Sequence, residues 1–169
     1  QTLVLPGAED LEDLIRMEAR RLSSALESRK TVAKKRDAIL EAIPEAEILM
    51  SMPGVGAVTC ATFLAEVGDV TRFPTAAKLA SSAGLSPKVR QSGRSVNSVT
   101  KPRGGNRRLK RVLVLSASKS ILFCDESRKY YERKRAEGRC YNSSITALAR
   151  KRLDVMYAML RDGNKYKKK

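Results

Sequence analysis

The chain has 169 residues, 42% hydrophobic but only 5% aromatic, enough to bury one sizeable core or one core plus an extended arm, and a composition that favours helices over sheets. It contains no histidine, and its three cysteines, Cys60, Cys124 and Cys140, are widely spaced; this argues against a Cys/His zinc site, excludes Ser–His and Cys–His catalysis within the chain, and predicts reduced thiols in a cytoplasmic setting. The net charge of +16 is uneven, because residues 1–85 carry 10 Lys and Arg against 12 Asp and Glu whereas residues 86–169 carry 24 against 6, and such a field suits a polyanion, most often nucleic acid.

From about Glu9 to Ile43 there is neither Gly nor Pro, and Leu11, Ile15, Leu22, Leu26, Ala33, Leu40 and Ile43 recur at three-, four- and seven-residue steps. The pattern predicts a coiled-coil-like helical arm over residues 1–44, about 50 Å long for 35 residues, whose apolar stripe packs either on its own domain or on another chain. Pro44 ends the arm, and a second unit is expected over residues 45–169. It opens with a short helix over about Glu45 to Met52. Pro53-Gly54-Val55-Gly56 follows, then an apolar helix from Ala57 to Val67 that stops at Gly68-Asp69. This is the pattern of a helix-hairpin-helix, marked by its apolar flanks and terminal Gly68-Asp69, in which Gly54 and Gly56 would let backbone amides at the second helix's start hold a phosphate; the alternative is a tight corner that only packs.

Phe73-Pro74-Thr75 predicts a further helix, with proline in its first turn, running to Gly84. Lys88 to Gly105 reads as a long loop, punctuated by Ser92-Gly93, Pro102 and Gly104-Gly105. Such a loop in a compact domain is unusual unless it has a function. The basic centre of the chain lies here: Lys88, Arg90, Arg94, Lys101, Arg103, Arg107, Arg108, Lys110 and Arg111 occur with no acidic residue among them. They form either a phosphate-gripping surface or a solvated basic face. Asn106 is a candidate cap for a helix to about Cys124, and Asp125 and Asn142 for two more that end at Gly138 and Gly163. Tyr130, Tyr131 and Tyr141 suit packing or base stacking beside Arg128, Lys129 and Arg133. Lys167-Lys168-Lys169 reads as a frayed tail. No 18-residue apolar run or signal-like segment is present, so neither export nor membrane insertion is expected, and a chain beginning at Gln1 reads as a fragment.

The fold class expected is therefore all-α, an arm followed by a compact helical domain. Within that domain a set of short motifs occurs in order: Pro53-Gly54-Val55-Gly56, Phe63-Leu64-Ala65-Glu66-Val67-Gly68-Asp69, Arg72-Phe73, Leu79-Ala80, Ala83-Gly84-Leu85-Ser86-Pro87, Gln91-Ser92-Gly93, Lys101, Gly105-Asn106 and Leu109. Together they resemble the C-terminal transposase domain of the insertion-sequence 110/116/902 family, closely over about Ile48 to Ala117, and the preceding arm resembles that family's coiled-coil linker. The sequence departs from the family pattern at Lys101-Pro102-Arg103.

The resemblance implies a recombinase guided by a structured bridge RNA, with DNA as substrate. It implies an N-terminal RuvC-like domain, absent from these residues, whose Asp/Glu site would hold a divalent metal; no cofactor is expected in this chain. The family's serine nucleophile falls on Ser92, which would form a transient phosphoserine link to DNA, with Arg90, Arg94, Lys101 and Arg103 near it to clamp phosphoryl oxygens. Judged by residue chemistry alone, Ser92 reads as an ordinary turn residue, Ser95 and Ser98 are its rivals, and no base is evident nearby. A tyrosine-recombinase reading lacks its histidine. Handling two strands at once argues for a homodimer or higher oligomer. The competing class is a binding module that grips phosphates through its hairpin and basic helices without chemistry.

Overall fold

A computed structural model describes residues 8–86, 88–92, 96–100 and 104–167. Its helices are α1 (Ala8–Glu41), α2 (Pro44–Met50), α3 (Ala57–Val67), α4 (Ala76–Ser82), α5 (Arg107–Phe123), α6 (Asp125–Ala136) and α7 (Tyr141–Asp162), with a single 3-10 turn at Val70–Arg72. The fold is all-α, with one departure from the expected order of elements. Between α4 and α5, where a loop was expected from Lys88 to Gly105, strands β1 (Lys88–Ser92) and β2 (Val96–Thr100) pair as an antiparallel hairpin. The register sets Val89 opposite Val99, a β-branched pair well suited to a pleated ladder, within a segment whose basic and polar residues otherwise mask any alternation.

Two compact units divide between Ile39 and Leu40. The first is the body of α1. Its apolar positions Leu11, Ile15 and Leu22 are each about 60% exposed, and its surface is laced by short-range ion pairs such as Glu12–Arg16, Glu18–Arg21 and Glu27–Lys30. Exposed pairs of this kind add a few tenths of a kcal/mol each.

The second unit is built around α7. Ile145, Leu148, Ala149, Leu153 and Met156 recur on one face and are buried against α2, α4, α5 and α6. Leu49, Phe63, Leu79, Leu109 and Leu113 complete the core from the helices around it. Local signals set the element ends. Pro44 opens α2 at a position that needs no N–H, with Glu45 and Glu47 in its first turn to favour the positive helix end. Gly68 closes α3, and the Asp69 carboxylate then accepts from the Thr71 amide (2.8 Å) and hydroxyl (2.6 Å) to start the 3-10 turn. Those two hydrogen bonds hold the Asp69 carboxyl below its ordinary range. Thr75 caps α4, so Pro74 lies just before the helix and not in its first turn. The last two helices also begin earlier than expected: Cys124 and Cys140, not Asp125 and Asn142, occupy the cap positions, which leaves Asp125 inside the first turn of α6, where a carboxylate favours the helix dipole.

The turn between α2 and α3 separates the roles of its two glycines. Gly54 has φ 81°, and a Cβ there would lie 2.9 Å from the Ser116 carbonyl and 3.1 Å from Ser120 on α5. Gly56 has φ −103° with nothing within 4 Å. Gly54→Ala should therefore cost about 2–3 kcal/mol through left-handed strain and overpacking. Gly56→Ala should cost less than about 1 kcal/mol. Urea unfolding of both variants checks the difference, and equal costs would contradict the close packing of the turn on α5.

Candidate nucleic-acid interface

The hairpin rises from a tightly closed root. Gly84 (φ 66°) and Gly105 (φ 107°) pass so close that a Cβ on the first would lie 2.7 Å from the Gly104 carbonyl and one on the second 2.6 Å from the Gly84 amide nitrogen. Only glycine fits either place. The Asn106 amide donates to the Ser82 carbonyl at 2.7 Å, tying the chain that leaves the hairpin to the chain that enters it, and the Leu85 amide donates to the Ala80 carbonyl at 2.8 Å within the entering segment. On the entering side, Arg150 of α7 donates to the Ala76 carbonyl and the Ser86 hydroxyl, both at 3.4 Å, and pairs with Asp154 at 3.4 Å.

On the leaving side, Asn106 acts twice. Its Oδ1 accepts from the Leu109 amide at 3.0 Å and caps α5, while its Nδ2 donates to Glu66 Oε2 at 2.5 Å. Glu66, on α3 with only 23% of its side chain exposed, also faces Arg108 at 3.9 Å. It is the acidic group nearest an otherwise basic helix start. Arg107 and Arg108 occupy the first turn of α5 with no acidic residue beside them in that turn, and Arg111 follows one turn later, all three exposed, with Lys110 half-buried. Cations at a helix N-terminus oppose its dipole, so this arrangement costs folding energy that a bound anion would offset.

From that root the ladder carries Ser92 about 14 Å beyond Lys88. Ser92 forms the last pair of the hairpin, opposite Val96, and Arg90 stands opposite Ser98. Arg94, Lys101 and Arg103, the other basic residues expected near the serine, lie outside the described residues, as does Ser95. The basic residues thus divide between the hairpin (Arg90) and the helix it leads into (Arg107, Arg108, Lys110 and Arg111). Gly56 is exposed at the head of α3, while Gly54 faces α5.

Sequence reasoning missed Arg152. It is 4% exposed, donating through Nη1 to Ser127 Oγ at 3.3 Å and through Nη2 to Ser116 Oγ at 3.4 Å and the Pro53 carbonyl, so it ties the α2–α3 turn to α5, α6 and α7. Burial draws its pKa below the ordinary guanidinium value. A signal was present, since Arg152 interrupts the apolar series Ile145, Leu148, Ala149, Leu153, Met156 at a core position. The thiols offer no competing nucleophile at Cys60: burial pushes it up to about 11, and its Sγ donates to the Ala46 carbonyl. Among the described residues no helix is long and apolar enough to cross a membrane.

Residues 46–132, from α2 to the middle of α6, match the family model described as Transposase IS116/IS110/IS902 family. The chain belongs to this transposase family. It is 46% identical over 166 residues to the insertion element IS110 uncharacterized 43.6 kDa protein of Streptomyces coelicolor, covering 98% of this chain and 41% of that protein. It is 49% identical over 118 residues to the insertion element IS900 uncharacterized 42 kDa protein of Mycobacterium paratuberculosis, 69% of this chain and 30% of the relative. A pilin gene-inverting protein of Moraxella bovis is 31% identical over 126 residues, 73% of this chain and 39% of its own length. The chain therefore spans less than half the length of these relatives. The matched span takes in the closed root, the hairpin and the basic start of α5 together.

The dual role of Asn106 gives a test of the root. Asn106→Ala should destabilise this transposase-family domain by about 1–2 kcal/mol through loss of the cap. Asn106→Asp keeps the capping oxygen but sets a second carboxylate against Glu66, so like-charge repulsion should cost stability at neutral pH and be relieved in acid, where carboxylates protonate. Chemical denaturation of the two variants across pH checks both signs, and a pH-independent Asn106→Asp variant would contradict the Asn106–Glu66 contact.

Proposed function

We propose that this chain is the DNA-binding and catalytic-serine portion of an insertion-sequence recombinase. Three features support the reading: Ser92 ends a strand raised on a closed root, the α5 start supplies exposed arginines with a single acid, Glu66, near them, and a relative is named for inverting a pilin gene. The observation that carries it is the first turn of α5, where Arg107 and Arg108 stand against the helix dipole with only Glu66 near them.

In this reading the basic helix start and the exposed amides at Gly56 hold backbone phosphates, and the helix-hairpin-helix pattern of α2 and α3 serves as a second grip on the strand. The Ser92 hydroxyl attacks a phosphodiester phosphorus, forming a serine–phosphate ester as a deoxyribose oxygen leaves and takes up a proton; a second strand's hydroxyl then attacks the ester and releases the serine. Arginines at the reacting phosphate stabilise its developing charge, the main protein contribution in phosphoryl transfer. The proton acceptor and a divalent metal belong to a RuvC-like domain of the longer protein, a bridge RNA supplies target choice, and α1 pairs with its counterpart in a homodimer or larger assembly through its exposed Leu11, Ile15 and Leu22 face.

The second reading is a binding module without chemistry, favoured by the engagement of the acids at the hairpin root, where Glu66 accepts from Asn106 and Asp154 pairs with Arg150. Strand exchange by the full-length protein with its RNA separates the two. Ser92→Ala should abolish exchange by at least about a thousandfold and leave DNA affinity unchanged, while Ser95→Ala and Ser98→Ala retain activity. Full activity in Ser92→Ala would overturn the catalytic assignment.

A further inference from the structure

Arg152 is a buried cation with neutral partners only. Its three acceptors are two serine hydroxyls and a carbonyl, its Nε has no partner, and among the described residues no carboxylate pairs with it. Burying a guanidinium without a counter-charge is expensive. Beside it lies a cavity of about 60 Å³ between α6, α7 and the C-terminal segment, room for several water molecules.

The charges around this cavity are strongly unequal. Lys151, the next residue on α7, lines it as well, and its ammonium lies 4.9 Å from the centroid of the Tyr130 ring with no ion-pair partner among the described residues. Arg133 lies 5.1 Å from the same ring on its own side of α6. Lys134 is also near the ring, but it is neutralised by Glu137 at 2.7 Å. The one acid lining the cavity is Glu126, and its carboxylate already accepts from the Tyr166 hydroxyl at 3.2 Å. Tyr166 is itself pinned, its amide donating to Ser51 Oγ at 2.8 Å while Lys165 pairs with Glu47. Two cations, a serine hydroxyl and two tyrosines therefore face a small space that Met52, Leu148 and Val155 also line, with a single, occupied carboxylate. The excess of cations over acids in that lining selects an anion over a cation.

We propose that this cavity seats a phosphate group, with Lys151 as its direct partner and Arg152 as the fixed charge behind it. It is separate from the hairpin and the α5 start, and so would hold a further phosphate, at α6 and α7, where the sequence suggested only packing or base stacking by the tyrosines. The source of the phosphate is either free inorganic phosphate or a nucleic-acid backbone; the second rests on the nucleic-acid reading above.

Two measurements on the 169-residue chain test it. In thermal unfolding at matched ionic strength and pH, inorganic phosphate should raise the midpoint above its value in chloride, increasingly with concentration, and Lys151→Met should abolish that difference while the exposed control Lys119→Met preserves it. In anisotropy titrations of a short labelled single-stranded oligonucleotide, Lys151→Met should reduce the salt-dependence slope by about one if a backbone phosphate occupies the seat. A phosphate shift with an unchanged slope assigns the seat to free phosphate. No phosphate-specific shift in the wild type together with an unchanged slope in Lys151→Met overturns the proposal, and because Arg107→Gln would still lower the slope, the hairpin-side interface would survive that result.

Discussion

The chain enters and leaves its hairpin through the crossing of Gly84 and Gly105, where a methyl group on either residue would lie under 3 Å from backbone of the opposing strand of chain. Almost every functional feature descends from that closure. Because the two segments touch, Asn106 reaches Ser82 with its amide and Glu66 with its side chain, and α5 starts at a fixed place relative to α3 and α4. Helix α5 then acts at both ends. Its first turn presents Arg107 and Arg108, and its later turns hold Ser116 and Ser120 against Gly54, so the hairpin root and the α2–α3 turn are braced by one rigid element.

Electrostatics explains why the fold needs such bracing. The second half of the chain concentrates like charges, and like charges repel one another and the helix dipole they face. The structure offsets this at a few points, with Glu66 beside Arg108, Asp154 beside Arg150 and Glu137 beside Lys134. Elsewhere it leaves the charge unanswered, most sharply at the buried Arg152 and at Arg107 in the exposed first turn of α5. Both exceptions break ordinary rules of stability, and such exceptions concentrate at sites where a ligand completes the structure.

Much of this was legible in the residues. Pro44, Gly68, Asn106 and Gly163 each mark a helix end for a stated local reason, and α3 runs from Ala57 to Val67 as its apolar pattern predicts. Ser92 could be singled out only through the ordered motifs that carry the family resemblance, since a serine beside a glycine is chemically ordinary. The hairpin was missed because glycine, proline and basic residues signal a loop, while the Val89–Val99 pairing depends on a register that local pattern does not reveal. The caps at α6 and α7 were misplaced because cysteine has little capping preference, and the nearby Asp125 and Asn142 drew the assignment. The Gly84–Gly105 crossing and the Arg152 network join residues 21 and 99 positions apart, counting Arg152 to Pro53, and pairings at that separation are tertiary facts.

The most direct measurement is peptide mass mapping of any covalent DNA adduct, formed by the full-length protein with its RNA and a nicked target and resolved by denaturing electrophoresis. If Ser92 is the nucleophile, DNA is found attached to the peptide that carries it, and no such species forms in Ser92→Ala. Productive strand exchange with no protein–DNA adduct, or with the adduct on another residue, would contradict that assignment.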